Sequence, residues 1–255
     1  MIKSISKRKF LMIWGILSLC AIRLEAQTHG GGANGAVMVN FKAGTLIEVA
    51  FLSVNPEKQQ QLKENYFKKV MPIAKEYGMK PLAKVQVQYT YSEFTKPQII
   101  GFFEWESQAQ HQAFLKDPRF LRIKPIRDNA LDFLRLGYFE VEKDTEVTFM
   151  SEQLVEVYAM WFNPQNAHRM QTYFKNVTPL ITGKGNRYDV KFALNLKSVP
   201  YGDDTYQPES FGVALWKNKA SNDHFFNSAG YKKVKHDKEA ALSRIDVWHG
   251  KIVIN

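Results

Sequence analysis

The chain has 255 residues, a formal net charge of +10 and a single cysteine, Cys20. Cys20 falls in an N-terminal segment expected to be cleaved, so the mature protein is expected to hold no disulfide, no thiolate nucleophile, and neither cysteine-ligated zinc nor a cysteine-bound iron–sulfur cluster. Five basic residues and one acidic residue leave with that segment and the charge falls to +6; outside the cytoplasm a basic surface meets anionic polysaccharide, acidic small molecules or lipid headgroups more often than nucleic acid.

Residues 1–26 read as a signal peptide. Lys3, Lys7, Arg8 and Lys9 form a basic start, and the apolar stretch from Phe10 to Ile22 is 13 residues long, short of the roughly 20 that span a membrane. Leu24-Glu25-Ala26 offers a cleavage site after Ala26. The expected location is therefore secreted or periplasmic, with no stable membrane insertion afterwards. Lipidation at Cys20 is disfavoured by Leu19, which stands where a small residue is wanted. Residues 27–44, which include His29-Gly30-Gly31-Gly32, read as a flexible leader.

From residue 45 onward one unit is written twice, at an offset that drifts from 107 to 111 residues. Leu46-Ile47-Glu48-Val49 returns as Leu154-Val155-Glu156-Val157, Asn55-Pro56 as Asn163-Pro164, and Tyr66-Phe67-Lys68 as Tyr173-Phe174-Lys175. Gly101, Trp105, Phe114, Phe120 and Ala130-Leu131 return as Gly212, Trp216, Phe225, Tyr231 and Ala241-Leu242. A unit of about 105 residues exceeds the roughly 20–50 of a solenoid repeat, so two duplicated domains are expected, 45–142 and 152–255.

Each copy opens on an apolar, β-branched run, Leu46 to Ser53 or Leu154 to Phe162. Asn-Pro then supplies an N-cap and a first helical residue. The helices are expected to run to Tyr77 and to about Thr182, ended by Gly78 and by Gly183 or Gly185. The period then changes to two: Val85, Val87, Tyr89 and Tyr91 alternate with polar residues, as do Val190, Phe192, Leu194 and Leu196. Returning strands, Gln98 to Trp105 and Ser210 to Trp216, complete hairpins. The second hairpin is four residues longer. Broken helical regions follow, interrupted at Asp117-Pro118 and Ala229-Gly230, and the last strands cover Phe133 to Val141 and Arg244 to Ile254.

The order is βαββαβ twice, a ferredoxin-like unit of the α+β class. Such a sheet has helices on one face and needs a cover for the other, which two copies can give each other sheet to sheet. On this order, and on the run of strand-Trp, Phe-rich helix, aromatic and Ala-Leu after Trp105 and Trp216, the chain resembles the dimeric α/β-barrel superfamily over about 210 of its 255 residues. That superfamily includes antibiotic-biosynthesis monooxygenases, haem-degrading monooxygenases, muconolactone isomerases and EthD-like proteins. The resemblance implies the fold and leaves the reaction open.

Motifs of several large enzyme classes are absent: there is no GxGxxG after a strand, no Walker loop, no HExxH and no GxSxG. Gly202-Asp203-Asp204 reads as a turn rather than a calcium site, and no metal is expected. Within the repeats His111 is the histidine of the first copy, and His168, His224, His236 and His249 belong to the second. None is matched across the copies, so the expected catalytic centre lies in copy two. His249 leads, on a strand face with Ile245 and Val247; His224 precedes Phe225 at a pocket edge or on the surface. Glu48 and Glu156, acidic within apolar strands, are expected to pair with an Arg or Lys or to line a polar cavity, where Glu156 would serve as an acid or base. Arg187, Tyr188 and Lys191 are placed to clamp an anionic substrate and donate a proton.

These readings combine into an exported acid/base enzyme without a cofactor. Its expected chemistry is elimination, of dehydratase or lyase type, or isomerisation, in carbohydrate degradation. The expected substrate is a small acidic molecule or anionic oligosaccharide such as one containing uronate, and the expected state is monomer or homodimer. The superfamily resemblance implies a rival, a haem-binding or monooxygenase-type protein. A non-catalytic binding module is the third reading.

Overall fold

The computed structural model describes residues 35–182, 188, 190–201 and 206–254. The signal segment, residues 27–34 of the leader, the helix terminators Gly183 and Gly185, Arg187 and Gly202-Asp203-Asp204 lie outside the described residues. The strands are β1 (Ala36–Phe41), β2 (Leu46–Val54), β3 (Lys80–Thr90), β4 (Ile99–Trp105), β5 (Leu131–Glu140), β6 (Thr145–Met150), β7 (Leu154–Phe162), β8 (Val190–Ser198), β9 (Ser210–Trp216) and β10 (Leu242–Ile252). The main helices are α1 (Lys68–Glu76), α2 (Gln108–Leu115), α3 (Pro118–Ala130), α4 (Arg169–Thr182), α5 (Lys219–Asn227) and α6 (Ala229–Ala241).

The breaks expected from Pro, Gly and Asn-Pro are realised by capping, with one difference. Asn55 Oδ1 accepts from the Glu57 N–H, Asp117 from Arg119 N–H and Ser228 Oγ from Tyr231 N–H. Gly78, at φ +78°, ends the first helix in the left-handed region where side chains are disfavoured. Asn163 also accepts from the Gln165 N–H, yet the chain turns for five more residues before α4 begins at Arg169. In copy one a π turn over Leu62–Phe67 precedes Pro72, which lacks the N–H that a regular turn would use.

Each copy builds its four-stranded antiparallel sheet, β3-β4-β2-β5 and β8-β9-β7-β10, and the two join into one closed eight-stranded barrel. One seam pairs β10 with β3 from Trp248↔Thr90 to Ile252↔Val85. The other, between β5 and β8, has only Phe139↔Ser198 and Glu140↔Lys197. Closure removes the free edges each sheet would otherwise present. The apolar inner faces meet inside the barrel, where Phe139 stacks on Phe211 at 4.5 Å and Phe51 lies 4.8 Å from Trp248. The helices pack outside, giving each copy a second core between helix and sheet.

Two expectations are corrected here. The leader stops being a leader at Ala36: β1 pairs with β6, a segment expected to link the domains, and Val39, Phe41, Val147 and Phe149 bury themselves in the barrel core. The apolar spacing of these segments is what lets a two-stranded ribbon serve as a plug. In β8 the alternation expected from Val190 to Leu196 is broken by a bulge between Phe192 and Leu194. Val190 and Phe192 therefore face the helices while Leu194 and Leu196 enter the barrel. The same bulge recurs in copy one between Pro81 and Ala83. Among the described residues no helix is long and apolar enough to cross a membrane.

Candidate functional site

The strand register brings Glu156 and His249 side by side. They are direct partners on β7 and β10, with Ala214 of β9 on the other side of Glu156. Glu156 Oε2 lies 2.8 Å from His249 Nε2 and accepts from Asn222 Nδ2 at 3.1 Å. Oε1 has no hydrogen-bond partner among the described residues. If Nε2 donates to the carboxylate, His249 Nδ1 is the bare nitrogen, and it is sealed from any partner. The pair is buried, Glu156 at 8% and His249 at 4% exposure.

This pair lies at one end of a cavity of about 350 Å³ between the copy-two sheet and its helices, near the small end of the usual range for ligand sites. Its walls are chiefly aromatic and aliphatic: Met160, Tyr173, Phe174, Phe192, Trp216 and Phe225 contribute. Tyr158 stands two residues along β7 from Glu156 and lines the cavity too. Tyr91 arrives from the copy-one hairpin, its ring 5.0 Å from the His249 ring.

Copy one holds the same carboxylate in a closed version of the site. Glu48 Oε2 accepts from Trp105 Nε1 at 3.0 Å and faces His111 Nε2 at 3.2 Å, while His111 Nδ1 meets the Tyr201 hydroxyl at 2.6 Å. Both glutamates thus pair with a histidine rather than the expected Arg or Lys, and the histidines come from different elements. His111 sits four residues after the Ser107 cap, where copy two has Asn222 after Asn218; His249 sits where copy one has Tyr138. Titratable imidazoles alone were expected to mark copy two. What separates the copies is the space beside the carboxylate. Phe103 stands next to Glu48 where Ala214 stands next to Glu156, and the cavity at Glu48 is only about 110 Å³.

The ring over the neighbouring glycine is also exchanged. In copy one Phe103 covers Gly101; in copy two Tyr158, from the adjacent strand, covers Gly212 so closely that a Cβ there would lie 2.4 Å from its hydroxyl. The position next to Glu156 is thereby left open. Burial, and then the Glu156 charge, hold the Tyr158 phenol well above its ordinary range. Burial acts on Tyr173 in the same direction, with Tyr231 and Glu156 adding to it.

The remaining expected site residues do not converge. His224 is exposed and packs edge-on against Tyr188 at 5.4 Å. Tyr188 in turn packs on Phe225 at 5.1 Å, and its carbonyl accepts from Ser221, so it belongs to the helix–sheet core. Lys191 alternates with Phe192 and is exposed on the opposite face of β8. His168 and His236 are exposed. Arg187 lies outside the described residues.

The side chains of this cavity do not fit haem, which the resemblance implies for some members of the superfamily. An axial histidine must present a ring nitrogen to open space. His249 offers Nε2 to Glu156 and its Nδ1 is sealed. The broad groove of about 810 Å³ on copy one, lined by Lys116, Lys124 and Tyr201, has no histidine in its wall. Haem titration of the purified protein is expected to give only the spectrum of free haem; a sharp Soret band saturating at one equivalent would show that His249 leaves Glu156 to ligate iron.

No family model matches the sequence, and no curated protein matches it. Solved structures do. That of an anthrone oxidase-like protein is 14% identical, covers 86% of this chain and 95% of its own, and superposes with a TM-score of 0.56. A chlorite dismutase variant from Candidatus Nitrospira defluvii is 10% identical, covers 84% and 93%, and gives 0.54. At these identities the likeness is one of fold. The expected elimination or isomerisation of a uronate-containing oligosaccharide, and with it the lyase, dehydratase and carbohydrate-degradation reading, is overturned. The structures that share the fold carry oxidase and dismutase names, and the cavity that holds the acid/base pair is walled chiefly by rings and aliphatic groups, with a single lysine, Lys238, where an anionic sugar would need several cations. In fold, the chain is similar to the ferredoxin-like, dimeric α/β barrels, with the unit written twice in one chain.

Proposed function

We propose that the copy-two cavity oxidises a small, planar, largely apolar aromatic molecule with dioxygen, and that Glu156 removes the proton that starts the reaction. The observation that carries this reading is a carboxylate clamped through one oxygen, its other oxygen unbonded, at the end of a cavity lined by rings. Such a group is a positioned base. The anthrone oxidase-like protein that shares the fold supports the same substrate class.

A CH₂ group flanked by aromatic rings and conjugated to a carbonyl loses a proton to leave an electron-rich anion. Electrons from that anion reduce dioxygen, a C–O bond forms, and the peroxide oxygen takes a proton. Collapse of the hydroperoxide then yields a new carbonyl and one water. His249 and Asn222 hold the carboxylate in line, and the aromatic walls exclude bulk water from the anion.

Oxygen uptake and carbonyl product with anthrone in air test the reading. Uptake no faster than the uncatalysed oxidation would overturn it. Ala214→Phe is expected to abolish both uptake and binding, because it installs beside Glu156 the residue that copy one carries beside Glu48. Tyr158 already occupies the slot over Gly212, so the new ring has only the cavity to enter. Overpacking of about 1–3 kcal/mol is the expected cost in stability. Full activity with a bound aromatic ligand in Ala214→Phe would place the reaction elsewhere.

A further inference from the structure

Besides Tyr91 from copy one, three phenols of copy two line the cavity, Tyr158 on β7, Tyr173 on α4 and Tyr231 on α6. Tyr173 and Tyr231 are buried. None of the three hydroxyls has a hydrogen-bond partner among the described residues, and none is sealed off in the way that Trp216 Nε1 and His249 Nδ1 are. A hydroxyl inside an apolar cavity with no protein partner must bond to whatever occupies the cavity, or the missing bond is costly. Three around one cavity mark a place where its occupant completes the bonding. Lys238 adds a cation behind them, its Nζ 5.3 Å from the Tyr231 ring centre and 5.9 Å from that of Tyr173.

Copy one again supplies the contrast. Its equivalents of Tyr158, Tyr173, Tyr231 and Lys238 are Ala50, Tyr66, Phe120 and Arg127. The single phenol, Tyr66, is faced by the Arg127 guanidinium 6.0 Å from its ring centre. Burial pushes that phenol up to about 12 against the pull of Arg127. Copy two has added two hydroxyls to the same wall and placed a flexible ammonium where copy one has a guanidinium.

We infer that Tyr158, Tyr173 and Tyr231, with Lys238 behind them, form an oxygen clamp that selects aromatic ligands bearing ketone or phenol oxygens over bare aromatic hydrocarbons. This deepens the oxidation reading and rests on it for the identity of the site. Tyr158 and Glu156 point to one face of one strand, two residues apart, so a clamped oxygen and the base address the same ligand. As neutral donors the phenols also receive the negative charge that proton removal spreads onto a conjugated oxygen.

Binding without turnover tests the clamp. In the absence of oxygen, the intact protein is titrated with 1,8-dihydroxyanthrone and with anthracene, following tryptophan fluorescence, and the melting temperature of each variant is measured. The dihydroxyanthrone is expected to bind at least about tenfold more tightly, and Tyr158→Phe and Tyr231→Phe each to remove about tenfold of that while leaving anthracene unchanged. Tyr231→Phe installs the residue that copy one already carries, so it keeps the measurement interpretable should Tyr158→Phe lower stability. Equal affinity for the two probes, an equal loss of both, or no change in either variant would overturn the clamp; the last outcome would mean that water alone serves the phenols. Selective binding with no oxygen uptake in air would leave the clamp standing and remove the oxidation, and uptake without selectivity would do the reverse.

Discussion

Glu156→Gln is expected to lower the rate of the proposed anthrone oxidation by about 10²- to 10⁴-fold, the range for losing a general base, with little change in KM because the amide keeps the shape of the cavity. Asn222 and His249 bond the carboxylate through Oε2; the amide retains an oxygen there but has no basic oxygen to offer the substrate. His249→Ala is expected to act through Glu156, costing about 10- to 100-fold as a hydrogen bond to a charged group is lost. His111→Ala should leave turnover nearly intact and lower the melting temperature, because that ring is 1% exposed and bridges Glu48 and Tyr201. Rates measured at a temperature where all three variants are folded decide the matter. Wild-type turnover in Glu156→Gln would remove the carboxylate from the mechanism.

Residues 152–254 expressed alone are expected not to form a stable monomer. In the whole chain β10 is completed by β3 and β8 by β5, and the inner faces of both sheets meet in one core with Phe211 between Phe51, Phe102 and Phe139. Cut apart, the half exposes two strand edges and an apolar sheet face that includes Trp248, Phe211 and Leu196. It is expected to aggregate or to form a homodimer that imitates the missing half. Light scattering on the eluting fragment distinguishes these, and a soluble monomer melting in a single sharp transition would contradict the shared core. The short seam makes a further difference visible: with only two paired positions between β5 and β8, against five between β10 and β3, opening should begin at the former. Amide hydrogen exchange in the whole protein should therefore be faster at Val199, which donates across the short seam to the Tyr138 carbonyl, than at Tyr91, which donates across the longer one to the Val247 carbonyl.

Much of this architecture could be read from residue patterns, because it depends on local period and punctuation. The repeated Asn-Pro, Gly and Trp positions locate the unit, the change of period from helix to strand orders its elements, and the need to cover an apolar sheet implies a second sheet. The exceptions have physical causes of the same local kind. A bulge at Phe192 is invisible in a string that still alternates, and the apolar residues of β1 carry no partner until β6 is brought beside them.

The site divides differently. An acidic residue inside an apolar strand is conspicuous without any coordinates, and His249 stands out as an imidazole on a strand face; both were legible. Their pairing was not, since it requires β7 and β10 to be neighbours in a given register. Nor did the positions of Ala214 and Tyr158 carry any sign of function, for alanine and tyrosine are ordinary strand residues until Phe103 and Ala50 are seen at the same places in the closed copy. Tyr91 and Tyr201 reach the opposite copy only because the barrel closes. The sequence by itself determined the duplication, the element order and the two carboxylates, all consequences of short-range pattern. Only the tertiary structure decided which copy has a cavity, because that depends on the volumes of side chains that meet across strands far apart in the chain.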